Sequence, residues 1–417
     1  TGSFNTSVGA ASLYNNTTGS QNVAVGHYSL LANTTASNNT AVGYYSLYNN
    51  TTGHSNSALG QESLLTNTTG NNNVALGRRA LKLNTTGSEN TSIGTNSLDS
   101  NTTGANNVAV GYLALETNTT GIQHTAIGSE TLKANTTGTR NAAVGYQALQ
   151  SNTTGSYNTA VGEQVLGANT TASWNTGVGL YALLNNTTGV NNVALGAYAL
   201  DANTTGNDNI AIGYLALSAN TTAVSNTVVG AGSMIACTTG YNNTSMGVNS
   251  AYGLTTGDNN LLLGVSAGRA TSPSGNITTE DNRICLGNNS ITNAYIKVDW
   301  TVTSDQRDKA DITNFTHGLN YVNELRPVNY VWDDRSNYED RISDGSKKKS
   351  DVQLGFLAQE VAAIETDLGI DNNAIVNTED ADLLKMTNVK LIPVLVNAIK
   401  ELSTKNDALV ARITALE

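Results

Sequence analysis

"NVAVGHYSLLANTTASN", residues 22–38, decides the fold, because the chain writes it again with small changes every 17 residues. Its glycine, Gly26, is one of 16 spaced at 17-residue steps from Gly9 to Gly264 without exception. A fixed period of this length means one structural unit stacked many times. The unit reads N-x-A-V-G-x-x-A/S-L-x-x-N-T-T-G-x-x. The residue before each glycine is always Val, Ile, Leu or Met, and the residue four after it is Leu from Leu13 to Leu217. Two such apolar residues cannot build a core alone, but they are expected to build one when units stack.

Thr, Asn and Gly suit helix interiors poorly, whereas V-A-V-G and N-T-A-V-G suit a short strand ended by a tight turn. All three prolines (Pro273, Pro327 and Pro393) lie outside residues 1–264, as expected if the repeat backbone is committed to a hydrogen-bonded ladder. Each 17-mer is therefore expected to be one rung of a β-solenoid or β-roll. Sixteen rungs at a strand spacing of about 4.8 Å make a rod of about 75 Å. Equivalent residues then stack, so Asn16, Asn33 and their successors to Asn220 should form an asparagine ladder beside the TTG turn. The 13 N-T-T triplets are also glycosylation sequons, but one lattice position occupied throughout is better explained by the ladder. Small residues three after the glycine (Ser12, Ser29, Ser46, Ala80 and Ala114) fit either packing about a three-fold axis or a crowded rung of one chain.

Charge marks the end of the repeats. The stretch 1–264 carries 14 of the Asp, Glu, Lys and Arg side chains, and 265–417 carries the other 39. The organisation expected is a repeat shaft over 1–270, a β connector over 271–303 and a small α+β domain over 304–417. A net charge of −11 argues against nucleic acid as a partner. The one basic run, Lys347–Lys349, reads as a solvated loop. No apolar run approaches the ~20 residues of a membrane span. Cys237 and Cys285 form neither a disulfide framework nor a metal-ligand pattern, and no metal or other cofactor is expected. The chain opens on TGSF, itself the tail of a repeat unit, so further repeats and an anchoring structure are expected upstream.

The stretches NVAVGHYSL (22–30), NTAVGYYSL (39–47) and NVALGAYAL (192–200) resemble the N-S-V-A-I-G-x-x-S signature of trimeric autotransporter adhesin heads. Those heads are β-rolls wound as homotrimers, with a somewhat shorter repeat. The resemblance implies a trimeric, extracellular shaft.

Beyond Asp281, NRICLG and NAYIKVDWTVT alternate like short strands and lead into SDQRDKADI. The final stretch, 388–417, carries apolar residues at heptad spacing: Ile392, Ile399 and Ile413 at a, with Leu395, Leu402, Leu409 and Leu416 at d. Asn406 is the one polar seam residue, a device that fixes register in a coiled coil. Self-association through this helix is expected, although an amphipathic helix on a globular core fits the part before Pro393.

Residues 281–417 as a whole resemble the intramolecular chaperone domain at the C-terminus of endosialidases and many phage tail fibres. The motifs are S-D-x-R-x-K-x-x-I at Ser304–Ile312, L-G-F-L-A-Q-E-V at Leu354–Val361, and I-P-x-L-V-x-A-I-K-E-L at Ile392–Leu402, in that order. That family trimerises, drives assembly of the β-rich fibre before it, and commonly cuts itself before the motif serine. The resemblance places the scissile bond at Thr303–Ser304. Chemically, Ser304 would be the nucleophile and Lys309 its base, with Asp305 and Arg307 in support, since a lysine becomes a base only when desolvation or nearby positive charge lowers its pKa. Asp308 beside Lys309 would act the other way. The plain structural alternative is that Ser304 or Asp305 only caps a helix.

No other catalytic constellation is present: the four histidines are scattered, no G-x-S-x-G occurs, the repeats lack stacked acids, and GAGSM at Gly230 is a repeat variant, not a phosphate loop. Tyrosines recur one or two residues after the repeat glycine, at Tyr28, Tyr44, Tyr45, Tyr112, Tyr146, Tyr181, Tyr198 and Tyr214. They fit stacking on sugars of a cell-surface glycan, or packing between rungs or along an oligomer seam. The function expected is a trimeric tail-fibre or surface-adhesin protein that attaches to a cell-surface glycan or protein receptor, in a virion or on a cell surface, with possible processing before Ser304. The alternatives are an uncleaved filament whose C-terminal domain stays as a permanent tip, and an ice-binding solenoid. Adjacent threonines in NTT point to opposite faces, which disfavours the last.

Overall fold

In a parallel stack of identical rungs, each strand pairs in register with its counterpart, and most backbone N–H groups in the repeats bond to a carbonyl on a neighbouring rung. The computed structural model describes residues 2–291, 293–297, 302–370, 374–378 and 382–416. Two compact units divide after Ile291. In the first, 17 three-residue strands run from β1 (Thr6–Val8) to β16 (Leu261–Leu263) at a constant step and end with β17 (Ile284–Leu286). Each pairs in parallel with the next, as in Val23↔Thr40, Ala24↔Ala41 and Val25↔Val42. The final step, Leu261↔Ile284, is longer than the others, and its extra length takes up Pro273.

Only the middle residue of each strand points inward, because side chains alternate along a strand. That residue is small, Ala24, Ala41 or Ala109, and it packs with the leucine of the turn, Leu30, Leu47 or Leu115, in one continuous buried column. The aliphatic residue before each glycine was expected to share this core and does not. Leu59 and Met246 are about half exposed, at 49% and 50%, so these positions form an apolar ridge along the outside of the sheet. The small residues Ser29, Ser46, Ala80 and Ala114 are buried within the single chain, which favours the crowded rung.

The turns hold two asparagine columns. In the expected one, each amide donates to the carbonyl oxygen of the asparagine one rung earlier and to the backbone three residues on. Asn84 Nδ2 reaches Asn67 Oδ1 at 2.8 Å and the Gly87 carbonyl at 2.9 Å, and Asn101 Nδ2 returns the bond to Asn84 Oδ1 at 2.8 Å. The column stops where Cys237 replaces asparagine, leaving Asn220 Oδ1 without a partner. The second column, from Asn22 to Asn260, is buried too: Asn39 Oδ1 accepts the Asn56 backbone N–H at 2.9 Å, and Asn56 Nδ2 donates to the Gly70 carbonyl at 2.8 Å. These amides are thus spent on backbone or on their own kind.

Corners cost conformational strain. Tyr28 and Leu30 sit at φ 61° and 51°, left-handed geometry that disfavours L-residues by about 1–2 kcal/mol each. Burial of Leu30, worth about 1.5–3 kcal/mol, and its N–H bond to the Ser46 carbonyl at 3.0 Å offset this. At Gly111, φ is +142° and a Cβ would lie 2.3 Å from the Gly128 oxygen, which explains why every rung has glycine there.

The second unit is small and mixed. Helices α1 (Leu319–Glu324), α2 (Ala358–Asp367) and α3 (Leu391–Thr414) accompany two short antiparallel pairs, Val328–Tyr330 with Gln353–Gly355 and Val376–Asn377 with Lys385–Met386. Its core joins Tyr321, Val361, Ile375, Val376, Leu391 and Val394. Glu365, buried beside it, accepts the Ile375 N–H at 2.8 Å. Of the strand expected in NAYIKVDWTVT, residues 293–297 and 302–303 are not extended into a sheet, and residues 298–301 lie outside the described residues. Ile296 and Val302 are exposed, so no face is buried to hold a strand there.

His124 takes an asparagine's place in the second column. Nε2–H donates to the Gly138 carbonyl at 2.7 Å and Nδ1 accepts the Asn141 N–H at 3.2 Å, so the neutral ring fills both roles. Burial lowers its pKa from 6.5 to about 4. Below pH 6.5 the unfolded chain therefore binds the proton that the folded chain refuses. About 3 kcal/mol of stability present above pH 6.5 should drain away as pH falls towards 4. Denaturation midpoints of His124→Asn should lose this slope. Separately, Asn84→Ala strands a buried donor and a buried acceptor and should cost about 2–4 kcal/mol, whereas Thr86→Ala, exposed, should change stability by less than about 0.5 kcal/mol; urea denaturation of the two variants checks both.

Candidate functional site

The S-D-x-R-x-K segment makes a single turn of 3-10 helix, Gln306–Asp308. Asp305 is its N-cap and accepts the Arg307 N–H at 2.9 Å; Ser304 lies one residue before the cap. Lys309 follows as the C-cap, and its side chain folds back across the turn so that Nζ donates to Ser304 Oγ at 2.6 Å. The five-residue spacing thus closes a Ser–Lys pair through a shorter helix than a one-turn α-helical placement would require. Asp305 and Arg307 are joined by two parallel bonds, Nε to Oδ1 at 3.0 Å and an Nη2 to Oδ2 contact at 2.6 Å. The guanidinium holds the Asp305 carboxyl below its usual range, and the carboxylate raises Arg307. Arg307 is therefore committed to Asp305 and not to Lys309. Both Ser304 and Lys309 are exposed in the single chain.

The heptad residues divide by face. Leu391, Val394 and Ala398 bury one side of α3 in the domain core, and Asn397 Nδ2 donates to the Phe315 carbonyl at 2.6 Å. Ile392, Leu395, Ile399, Leu402, Leu409, Ile413 and Leu416 are all exposed, Ile399 at 66%, and Asn406 lies among them. From Leu402 to Leu416 every residue is exposed. A free helical segment of this length is marginal in water, so the exposed seam needs a partner.

The tyrosines fall into unequal sets. Tyr28, Tyr44 and Tyr45 gather with Tyr48 and His27, with Tyr44 and Tyr45 ring centres 4.3 Å apart. Tyr181, Tyr198 and Tyr214 form a looser edge-to-face run at 5.4 and 6.3 Å. Tyr112 and Tyr146 make no ring contact among the described residues. Tyr48, Glu62 and Lys82 join the first group through the groove they share, and Tyr157 stacks on Trp174 at 4.1 Å. The signal for these was available: written in 17-residue rows, Tyr28, Tyr45 and Glu62 occupy one column and Tyr48, Leu65 and Lys82 another.

Cys237 and Cys285 are free thiols, and burial pushes Cys237 up to about 12. No helix among the described residues is long and apolar enough to cross a membrane. Residues 304–370 match the family model described as chaperone of endosialidase, beginning at the serine of the Ser–Lys pair. A repeat solenoid followed by such a segment fits a tail-fibre-type protein with an intramolecular chaperone. No curated protein and no solved structure matches the chain.

Proposed function

We propose that this chain is the shaft of a homotrimeric fibre that attaches to a cell surface, assembled by its C-terminal chaperone, which then cuts the Thr303–Ser304 bond. The observation that carries the assembly half is the unburied heptad seam of α3, since a helix that exposes Ile392, Leu395, Ile399 and Leu402 on one face is built for copies of itself. The apolar ridge before the repeat glycines offers a second such face along the shaft.

The cutting half is supported by the Ser304–Lys309 contact. Lys309 as a free amine takes the hydroxyl proton while Ser304 Oγ attacks the Thr303 carbonyl carbon; the proton passes to the Ser304 nitrogen as the C–N bond breaks, leaving an ester. Water then hydrolyses the ester, giving a Thr303 carboxylate and a free Ser304 N-terminus. A lysine serves as base only when desolvation or nearby positive charge lowers its pKa; Arg307 is spent on Asp305 and Lys309 is exposed in one chain, so cutting follows assembly, when neighbouring copies cover the turn. The committed Asp305–Arg307 pair and the adjacent Asp308 favour a second reading, in which the turn is structural and the domain stays as a permanent tip. The NTT threonines lend no support to ice binding: Thr85 Oγ1 donates to the Thr102 carbonyl at 3.0 Å, leaving one outward threonine per rung.

Intact mass under denaturing conditions separates the readings. Wild type should yield a fragment beginning at Ser304, absent from Ser304→Ala and from Lys309→Met. Full-length mass in all three proteins would establish the permanent tip.

A further inference from the structure

The rungs between Tyr44 and Lys82 hold an aromatic groove. Tyr44, Tyr45 and Tyr48 wall it, Leu65 lies within it, and Asn49, Glu62 and Lys82 supply polar groups, enclosing about 380 Å³. The tyrosine rings do not lie flat against one another, since Tyr44 meets Tyr45 at 88° and Tyr45 meets Tyr48 at 64°, with centres 4.3 and 4.9 Å apart; His27 does stack nearly parallel on Tyr44, at 10° and an offset 5.7 Å. In an edge-to-face pair only one ring's face is covered, and by an edge, so more ring face stays open than in a parallel stack. Tyr28, tilted 35° to Tyr45 at 5.2 Å, extends the wall by one rung.

The charges there cancel. Lys82 Nζ lies 2.8 Å from a Glu62 oxygen, with both side chains about three-quarters buried. Asn49 keeps a side-chain amide with no protein partner among the described residues. A site with open aromatic faces, a free amide and a compensated carboxylate–ammonium pair suits a ligand with apolar C–H faces and many hydroxyls but no net charge. An anionic ligand would find the one cation there, Lys82, already paired with Glu62, and an aliphatic one would strand the amide and the ion pair.

We infer that the groove of Tyr44, Tyr45, Tyr48, Asn49, Glu62 and Lys82 is a binding site for a neutral glycan, a pyranose stacking on tyrosine while its hydroxyls bond to Glu62, Lys82 and Asn49. This rests on the attachment reading above and gives its receptor a chemical class. The column pattern supports it: Tyr45 and Glu62 occupy the same position on adjacent rungs, and so do Leu65 and Lys82, so neighbouring rungs supply the wall and the polar end in register.

The test applies the full chain to an array of neutral hexose oligosaccharides, with sialylated and sulfated oligosaccharides alongside. Wild type should bind neutral members, and Tyr44→Ala and Glu62→Gln should each weaken the best of them at least tenfold. Tyr252→Ala, an exposed tyrosine elsewhere on the shaft, should bind as wild type does. Circular dichroism and native mass of each variant report whether the fold and assembly survive. Binding confined to anionic oligosaccharides, binding equal in all variants, or no binding by a properly assembled wild type would overturn the inference while leaving the fibre reading intact. A chain that fails to assemble at all would count against the fibre reading itself.

Discussion

The shaft depends on one constraint above all: a polar group not satisfied within its own rung must be satisfied by the next rung, from the backbone beside its counterpart or from the counterpart's own side chain. Asn84 between Asn67 and Asn101 is the plainest case, because a carboxamide is both donor and acceptor and can therefore satisfy an identical neighbour on each side. A column of serines or threonines does this less completely, and a column of charges cannot do it at all. The scarcity of charge in the repeats follows from that requirement and not from any hydrophobic excess, since the buried core of each rung is little more than one alanine and one leucine.

The same constraint creates the difficulty that the C-terminal unit answers. Rungs that are nearly interchangeable specify the unit but not the register between separate chains, so copies that associate through the shaft alone are free to slip by a whole rung. A non-repeating domain with a unique core around Tyr321, Val361 and Val394, and a heptad seam marked by a single polar residue, would define one register in the proposed assembly. Following the repeats, it would let the proposed assembly begin at one unique place and propagate along the rungs. On the proposed reading, a shaft already zipped no longer needs the domain for its stability, which would give cutting it away a physical sense.

Much of this was legible in the sequence. The period gave the solenoid, the missing prolines gave the ladder, and the Asn16 column was visible because no other arrangement needs the same amide 13 times over. The Ser304–Lys309 pair followed from spacing and resemblance, although the turn that closes it is a short 3-10 helix with Asp305 as its cap. The direction of the aliphatic residue before each glycine was not legible. Three-residue strands leave only the middle position inward, so Ala24 goes in and Val25 does not, and even among the three leucines of Leu261–Leu263 only Leu262 is buried. Left-handed leucines such as Leu30 were also hidden, since local preference opposes them and only stacking with the neighbouring rungs makes them tolerable. The aromatic groove joins Tyr44, Tyr45, Tyr48 and Asn49 to Glu62, Leu65 and Lys82 of the following rungs, a grouping visible only when the sequence is written in 17-residue rows.

The central claim is that identical chains assemble in one register through the unit that follows the repeats. Native mass of the purified full chain tests it most directly, by light scattering in wild type and in Leu402→Asp, which lies beyond the domain core. The account predicts a mass three times that of the 43.4 kDa chain, or of its cut fragments together, in wild type and loss of that trimer in the variant. A wild type that stays at the mass of a single chain, with the same result for Leu402→Asp, would contradict it.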